Sequence, residues 1–247
     1  MKQFLIQDGF RSRRAKSFAL AVTAIICWLH PVWMLAAPAI GYVQGNYATP
    51  NKPQTTVRVN FTAAQVAGDL NVVVVGWSNS TATVTAVSDT EGNAYTRAVG
   101  PTVQSGIASQ SIYYAKNIVS AAAAANTVTV TFSSPATSPD IRILEYSDAD
   151  RNNPVDITAA NSGNSAISNS GSATTTNAAD LIFGANIVTG TTTGPGSGFT
   201  TRLLTQPDGD IAEDRMVTVT GSYSATAPLS PSCQWIMQMV AFRAAIH

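Results

Sequence analysis

The chain of 247 residues balances fourteen basic against fourteen acidic side chains, with 11% charged residues and 45% hydrophobic ones. That neutrality is uneven, because the first 39 residues hold five of the basic groups and one acid, leaving nine against thirteen and a net charge of −4. The remaining bases are scattered singly, so nothing could neutralise a row of phosphates and no nucleic-acid partner is expected. Cys27 and His30 fall in the same N-terminal stretch, so beyond it only Cys233 and the terminal His247 remain. An internal disulfide, an imidazole zinc site and a histidine general base are all ruled out.

Residues 1–39 read as a signal peptide with a helical apolar region. Lys2, Arg11, Arg13, Arg14 and Lys16 precede an almost wholly apolar run that begins at Ser17, the order a translocation signal needs. Ala37 and Ala39 supply the small-x-small pair for cleavage, which places the mature start at Ile40. The apolar run is nearly long enough to span a bilayer, so an uncleaved anchor is the alternative, but His30-Pro31 in its middle and the alanine-rich end favour cleavage, and the expected product is secreted or at the cell surface with no membrane span.

From Ile40 onward the reading is all-β. Residues 56–61 alternate apolar and polar at period two, as do residues 127–132, the pattern of a sheet with one wet face. Residues 70–77 (LNVVVVGW) and 181–188 (LIFGANIV) are continuously apolar and predict central strands covered on both faces. Shorter strands are predicted at 84–88, 95–98, 111–116, 141–146, 199–204, 215–220 and 235–243, with Gly92-Asn93 and Gly209 marking turns. An outer-membrane barrel fits poorly, since barrel strands alternate nearly everywhere and carry aromatic girdles. The stretch 147–180, rich in Ser, Asn, Ala, Thr and Gly, reads as irregular. Only 67 residues follow it, too few for a second immunoglobulin-like sandwich of roughly 100, so one domain spanning 40–247 is expected.

Within that domain an echo runs in order. Gly68-Asp69-Leu70 is matched by Ala179-Asp180-Leu181, and Tyr95-Thr96-Arg97 by Phe199-Thr200-Thr201-Arg202. Residues 111–116 are then set against 216–223, and 140–146 against 236–243. Such a repeat would place strands of each half in both layers of a single β-sandwich of jelly-roll type, with Asp69 and Asp180 capping corresponding turns.

The remaining chemistry is carboxylate chemistry. Asp208, Asp210, Glu213 and Asp214 lie within seven residues and could serve a hard cation, and Asp148, Asp150, Asn152 and Asp156 form a partial match to a calcium loop. The second segment lacks the glycine and the closing glutamate of an EF-hand, and solvated acidic loops are the plainer reading of both. Calcium is the one cofactor these residues would suit. For ligand binding the candidates are aromatic: Tyr113, Tyr114 and Tyr146, whose rings could stack on sugar faces, whereas Trp77 and Trp235 adjoin apolar runs and read as core. Alternation along a strand should turn one of Tyr113 and Tyr114 outward. Cys233 reads as a small buried hydrophobe.

Ordered blocks (QTTVRVNFTAAQVAGDLNVVVVGW, VSDTEGNAYTRAVGP, SQSIYYAKNI, DIRILEYS, DGDIAEDR and WIMQMVAFR) resemble a module that recurs in exported bacterial proteins. That module often stands beside fibronectin type III or immunoglobulin-like units, and the resemblance covers nearly all of residues 40–244. It implies a secreted or cell-surface β-sandwich and brings no catalytic residues with it. The expected function is therefore non-enzymatic: adhesion, matrix assembly or glycan binding through the surface, with an extracellular glycan or protein as partner. The alternative is a secreted carboxylate-dependent hydrolase such as a glycosidase.

Overall fold

The structure, a computed structural model, describes residues 39–246; residues 1–38 of the expected signal peptide and His247 lie outside the described residues. Ile40, the expected mature start, is already a buried core residue. The first half of the described chain runs through β1 (Gly41–Ala48), β2 (Gln54–Asn60), β3 (Leu70–Trp77), β4 (Val84–Asp89), β5 (Thr96–Gln104), β6 (Ala108–Ala115), β7 (Thr127–Ala136) and β8 (Asp140–Ser147). These build a five-stranded antiparallel sheet in the order β1-β8-β3-β6-β5, covered on one face by a second sheet, β2-β7-β4.

The side chains explain the layering. In β3 the continuous apolar run buries both faces: Leu70, Val72 and Val74 point one way, and Val73, Val75 and Trp77 the other, against Val57, Val59, Val128, Val130 and Phe132 of β2 and β7. The alternation in β7 sends its valines and Phe132 inward while its threonines stay half-exposed. Trp77 donates its indole N–H to the Ala82 carbonyl at 3.1 Å and meets Phe132 edge-on, so it is a core residue as its setting implied.

The second half repeats the order. Its strands are β9 (Val155–Asn169), β10 (Ala173–Thr174), β11 (Asp180–Val188), β12 (Thr191–Thr192), β13 (Thr200–Leu204), β14 (Ile211–Val217), β15 (Ser222–Tyr223) and β16 (Thr226–Arg243). Here β9, β16, β11, β14 and β13 take the places of β1, β8, β3, β6 and β5, and β10 pairs with β15 as β2 does with β7. Register confirms the correspondence. Leu70 faces Tyr146 as Leu181 faces Phe242, and Thr96 faces Tyr114 as Thr200 faces Asp214. Even the irregularity after Arg97 recurs after Thr201. One pairing in the sequence echo was out of step, because residues 111–116 correspond to 211–216 and not to 216–223.

The expected β-sandwich is present, but strands of each half do not share both layers as the sequence echo implied: each half builds its own large sheet, and the two large sheets are the layers. The five-stranded sheet of the first half and the six-stranded sheet of the second, which adds β12 beside β16, bury one core between them, with Val72, Ile112, Leu144 and Tyr146 on one side and Phe183, Ala212, Val240 and Phe242 on the other. Packing across this core is reciprocal, since β1 touches β13 and β9 touches β5. A self-complementary face of this kind is how two copies of one surface join about a two-fold axis. The outer face of the second sheet carries its own apolar layer of Ile182, Val217, Leu229, Cys233, Trp235, Met237 and Met239. Cys233 is buried there as a hydrophobe, with no disulfide among the described residues.

β1 and the two-residue strands β10, β12 and β15 are not expected from the sequence, and two further stretches differ from its reading. The stretch read as irregular contains β9, fifteen residues paired along β16, whose exposed side chains show no steady period. Gly163 lies under Trp235, where a Cβ would come within 2.6 Å of the ring, so small residues are needed for the strand to approach. The acidic run read as a loop enters β14, because its carboxylates find partners inside the fold.

Candidate functional site

Alternation along β14 sends the acidic candidates to different places. Asp214 faces the central core, where its Oδ2 accepts the Tyr146 hydroxyl at 2.9 Å and the Arg202 Nε at 2.7 Å. Glu213 faces the outer layer and accepts the Gly196 N–H at 2.8 Å on Oε2, while Oε1 is buried without a hydrogen-bond partner. Asp210 is buried at the other end of the strand, where its Oδ1 accepts the Val188 N–H at 2.8 Å. Asp208 lies with Asp210 at a small cleft beside Thr189. The four therefore do not assemble into the ligand set proposed from their spacing, and among the described residues no three His, Cys, Asp or Glu side chains converge on a cation position. In the other acidic segment Asp150 caps a turn through the Asn152 and Asn153 N–H groups, and Asp156 pairs with Arg243 at 2.6 Å and with the Thr176 hydroxyl.

Of the aromatic candidates, Tyr146 is fully buried, edge-on to Tyr42 and Phe183, and presents no face to a ligand. Burial, and then the Asp214 carboxylate, hold its phenol well above the usual range. The Tyr114 ring packs edge-on against Phe242 in the central core. Both faces of this sheet are covered, so alternation turns neither Tyr113 nor Tyr114 freely into solvent; each is half-buried.

Tyr113 nevertheless reaches a groove. It opens between the edge strand β4 and the β5-β6 pair, with a volume of about 490 Å³, walled by residues 84–87 on one side and by Tyr95, Thr96, Arg97 and Tyr113 on the other. Arg97 and Tyr113 are direct cross-strand partners and so share one face of the sheet. Arg97 is exposed and makes no ion pair among the described residues. Tyr95 is held rigidly: its hydroxyl donates to Asp89 Oδ2 at 3.0 Å and accepts from Asn71 at 3.3 Å. Asp89 is fixed in turn by the Asn93 and Asn126 side chains. A fixed ring, a second ring, a free guanidinium and the hydroxyls of Thr85 and Thr96 make a surface suited to a polar ligand with a flat apolar face. Tyr113 was visible in the sequence as a candidate; Arg97 and Tyr95 were not, because only the register of β5 on β6 brings them beside it.

The other perturbed carboxyls lie inside the fold. Burial raises Asp69 to about 7, helped by Glu145 beside it, Glu213 to about 7, and Asp180 to about 6 with Asp156 adding to the rise. Asp69 and Asp180 occupy the corresponding positions before Leu70 and Leu181 named from the sequence echo. Raised acids bind protons in the folded chain that the unfolded chain has released, so stability falls as pH climbs from about 4 to about 7. The depressed acids Asp150 and Asp156 act with the opposite sign, but only below about pH 4, outside that window. The melting temperature should therefore be higher at pH 5 than at pH 8, and Glu213→Gln should reduce the difference. A melting curve that rises from pH 5 to pH 8 would contradict this.

Compared with protein-family models, with curated proteins and with solved structures, the chain shows no match.

Proposed function

We propose that the protein is an exported, non-enzymatic β-sandwich module that binds a glycan in the groove lined by Tyr95, Arg97 and Tyr113. In this reading residues 1–39 are the export signal and each half is a jelly roll, the first lending its edge strand β5 to the larger sheet. The observation that carries the proposal is the cross-strand pairing of Arg97 with Tyr113 beside the pinned Tyr95 ring. Sugar rings present apolar C–H faces that stack on aromatic side chains, and hydroxyls that a guanidinium and threonines can hydrogen-bond. The resemblance of the ordered sequence blocks to modules of exported bacterial proteins supports the same setting.

The hydrolase reading draws less support. Where carboxyls meet, Asp69 with Glu145 and Asp156 with Asp180, their side chains are buried within the fold, and of the pair at the cleft beside Thr189 Asp208 is half-buried and Asp210 fully buried. A glycosidase needs its two carboxyls on either side of an accessible bond. Binding of the purified chain to a glycan array tests the proposal. Tyr113→Ala and Arg97→Ala should each weaken a positive signal about tenfold or more while leaving the melting temperature within a few degrees. Binding that survives both substitutions, or turnover of a bound glycan, would overturn it.

A further inference from the structure

The repeat places a second groove on the opposite outer layer. In the second half, Phe199 holds the position of Tyr95, directly before the Thr200 that corresponds to Thr96. Beside it lies a cavity of about 260 Å³ whose walls include Ile182, Ser197, Phe199, Arg215, Tyr223 and Thr226. The composition is that of the first groove: aromatic rings, hydroxyls and one arginine. Arg215 is exposed, its guanidinium carbon lies 5.9 Å from the centre of the Tyr223 ring, and it has no ion pair among the described residues. Tyr223 is anchored by its hydroxyl, which donates to the Val219 carbonyl at 2.8 Å. Gly198, at φ +80°, passes close along the Arg215 side chain, where a Cβ would stand 3.4 Å from Nε.

The charge pattern identifies the ligand. Beyond residue 39 the chain has thirteen acids for nine bases, yet Arg97 and Arg215 each stand in a groove without a carboxylate partner. Arg142, Arg202 and Arg243 are ion-paired, and the clefts lined by the other two exposed arginines, Arg58 and Arg151, hold no aromatic ring. An arginine kept free beside an aromatic wall suits a sugar that carries its own carboxylate, because the guanidinium fork takes a carboxylate through two parallel hydrogen bonds while the ring takes the apolar face. The two large sheets meet through their inner faces, so the grooves open from outer layers that point away from each other. A single polymer strand in one groove leaves the other available to a second strand.

We infer that the protein is bivalent, holding one uronate-containing polysaccharide strand at Arg97 and Tyr113 and another at Arg215 and Tyr223, and so cross-links an acidic glycan matrix. This rests on the glycan-binding reading of the first groove and adds the second site and the acidic class. The test is calorimetric titration with short oligomers of polygalacturonate, alginate and hyaluronate, alongside light scattering with the corresponding polymers. At least one of the three should fill two sites per chain, Arg97→Ala and Arg215→Ala should each leave one, and the double variant none. The polymer should form scattering networks with the wild type only. One site in the wild type, lost in Arg97→Ala and unchanged in Arg215→Ala, overturns bivalency and leaves the first groove standing. Equal binding of a neutral glucan, unaffected by either substitution, overturns the acidic class, and no binding to any of the three overturns the whole inference. Both arginines are exposed, so circular dichroism melts should match the wild type and exclude misfolding as the cause of a loss.

Discussion

Arg142→Ala is expected to destabilise the chain by about 3–5 kcal/mol, the range for removing one partner of a buried ion pair. For a chain of this size that lowers the melting temperature by roughly 6–20 °C. The arginine is fully buried and starts from β8 in the first half, where its Nε lies 2.7 Å from Asp140. Its two terminal nitrogens cross into the second half, donating to the Ile211 carbonyl at 2.5 Å and to the Asn186 carbonyl at 2.8 Å. Alanine would leave the Asp140 carboxylate without its counter-charge and two carbonyls without donors, away from water. Nearby Asp210, already pushed well above the usual carboxylate range by burial and then by Asp140, would lose the opposing influence of Arg142. The corresponding position in the second half is Gln238, whose Nε2 donates to the Gln110 carbonyl at 2.9 Å and thus also crosses between halves. Arg142→Lys should recover little, because a single ammonium cannot span Asp140, Ile211 and Asn186 as a planar fork does. Thermal melts of the two variants check this; a loss under 1 kcal/mol for Arg142→Ala would show that the tether carries no strain of separation between the halves.

Phe183→Ala should cost a similar amount, about 3–5 kcal/mol, by the transfer and cavity contributions that accompany loss of a buried aromatic ring. Phe183 is fully buried with its centroid 6.3 Å from Tyr146 and 6.5 Å from Phe242, so it joins rings from both halves. Its loss opens space in the shared core and not in one half alone. The expected result is a single unfolding transition moved to lower temperature. A variant in which the second half melts first, with the first half unchanged, would mean the ring supports only its own sheet.

These two residues also show what could be read from the chain and what could not. Phe183 sits in a continuous apolar run, and such a run announces a strand covered on both faces without further information. The same holds for residues 70–77, and the alternation of residues 127–132 correctly gave a sheet with one half-open face. Arg142 gave no such signal, since its partners at Ile211 and Asn186 are distant in sequence and are backbone carbonyls, which carry no residue identity. Glu213 and Asp214 read as a solvated loop because charge normally marks solvent, and it is the Gly196 N–H on the one and the Tyr146 hydroxyl and Arg202 guanidinium on the other that make their burial tolerable. The strand β9 was hidden for the opposite reason. It lies at a sheet edge where neither side-chain face needs to be apolar throughout, and the approach of Trp235 to Gly163 selects small residues that otherwise mark loops. In the candidate site, Tyr113 was legible as an aromatic on a strand. Its partner Arg97 was not, because cross-strand neighbours are set by register and by the irregularity that follows Arg97 in β5.

The opposed placement of the two grooves depends on the two large sheets burying one common core. Differential scanning calorimetry of the intact chain measures that directly. A common core predicts one transition whose calorimetric and van't Hoff enthalpies agree. Two resolved transitions, or a van't Hoff enthalpy near half the calorimetric value, would mean that the halves unfold independently and that no shared core joins them.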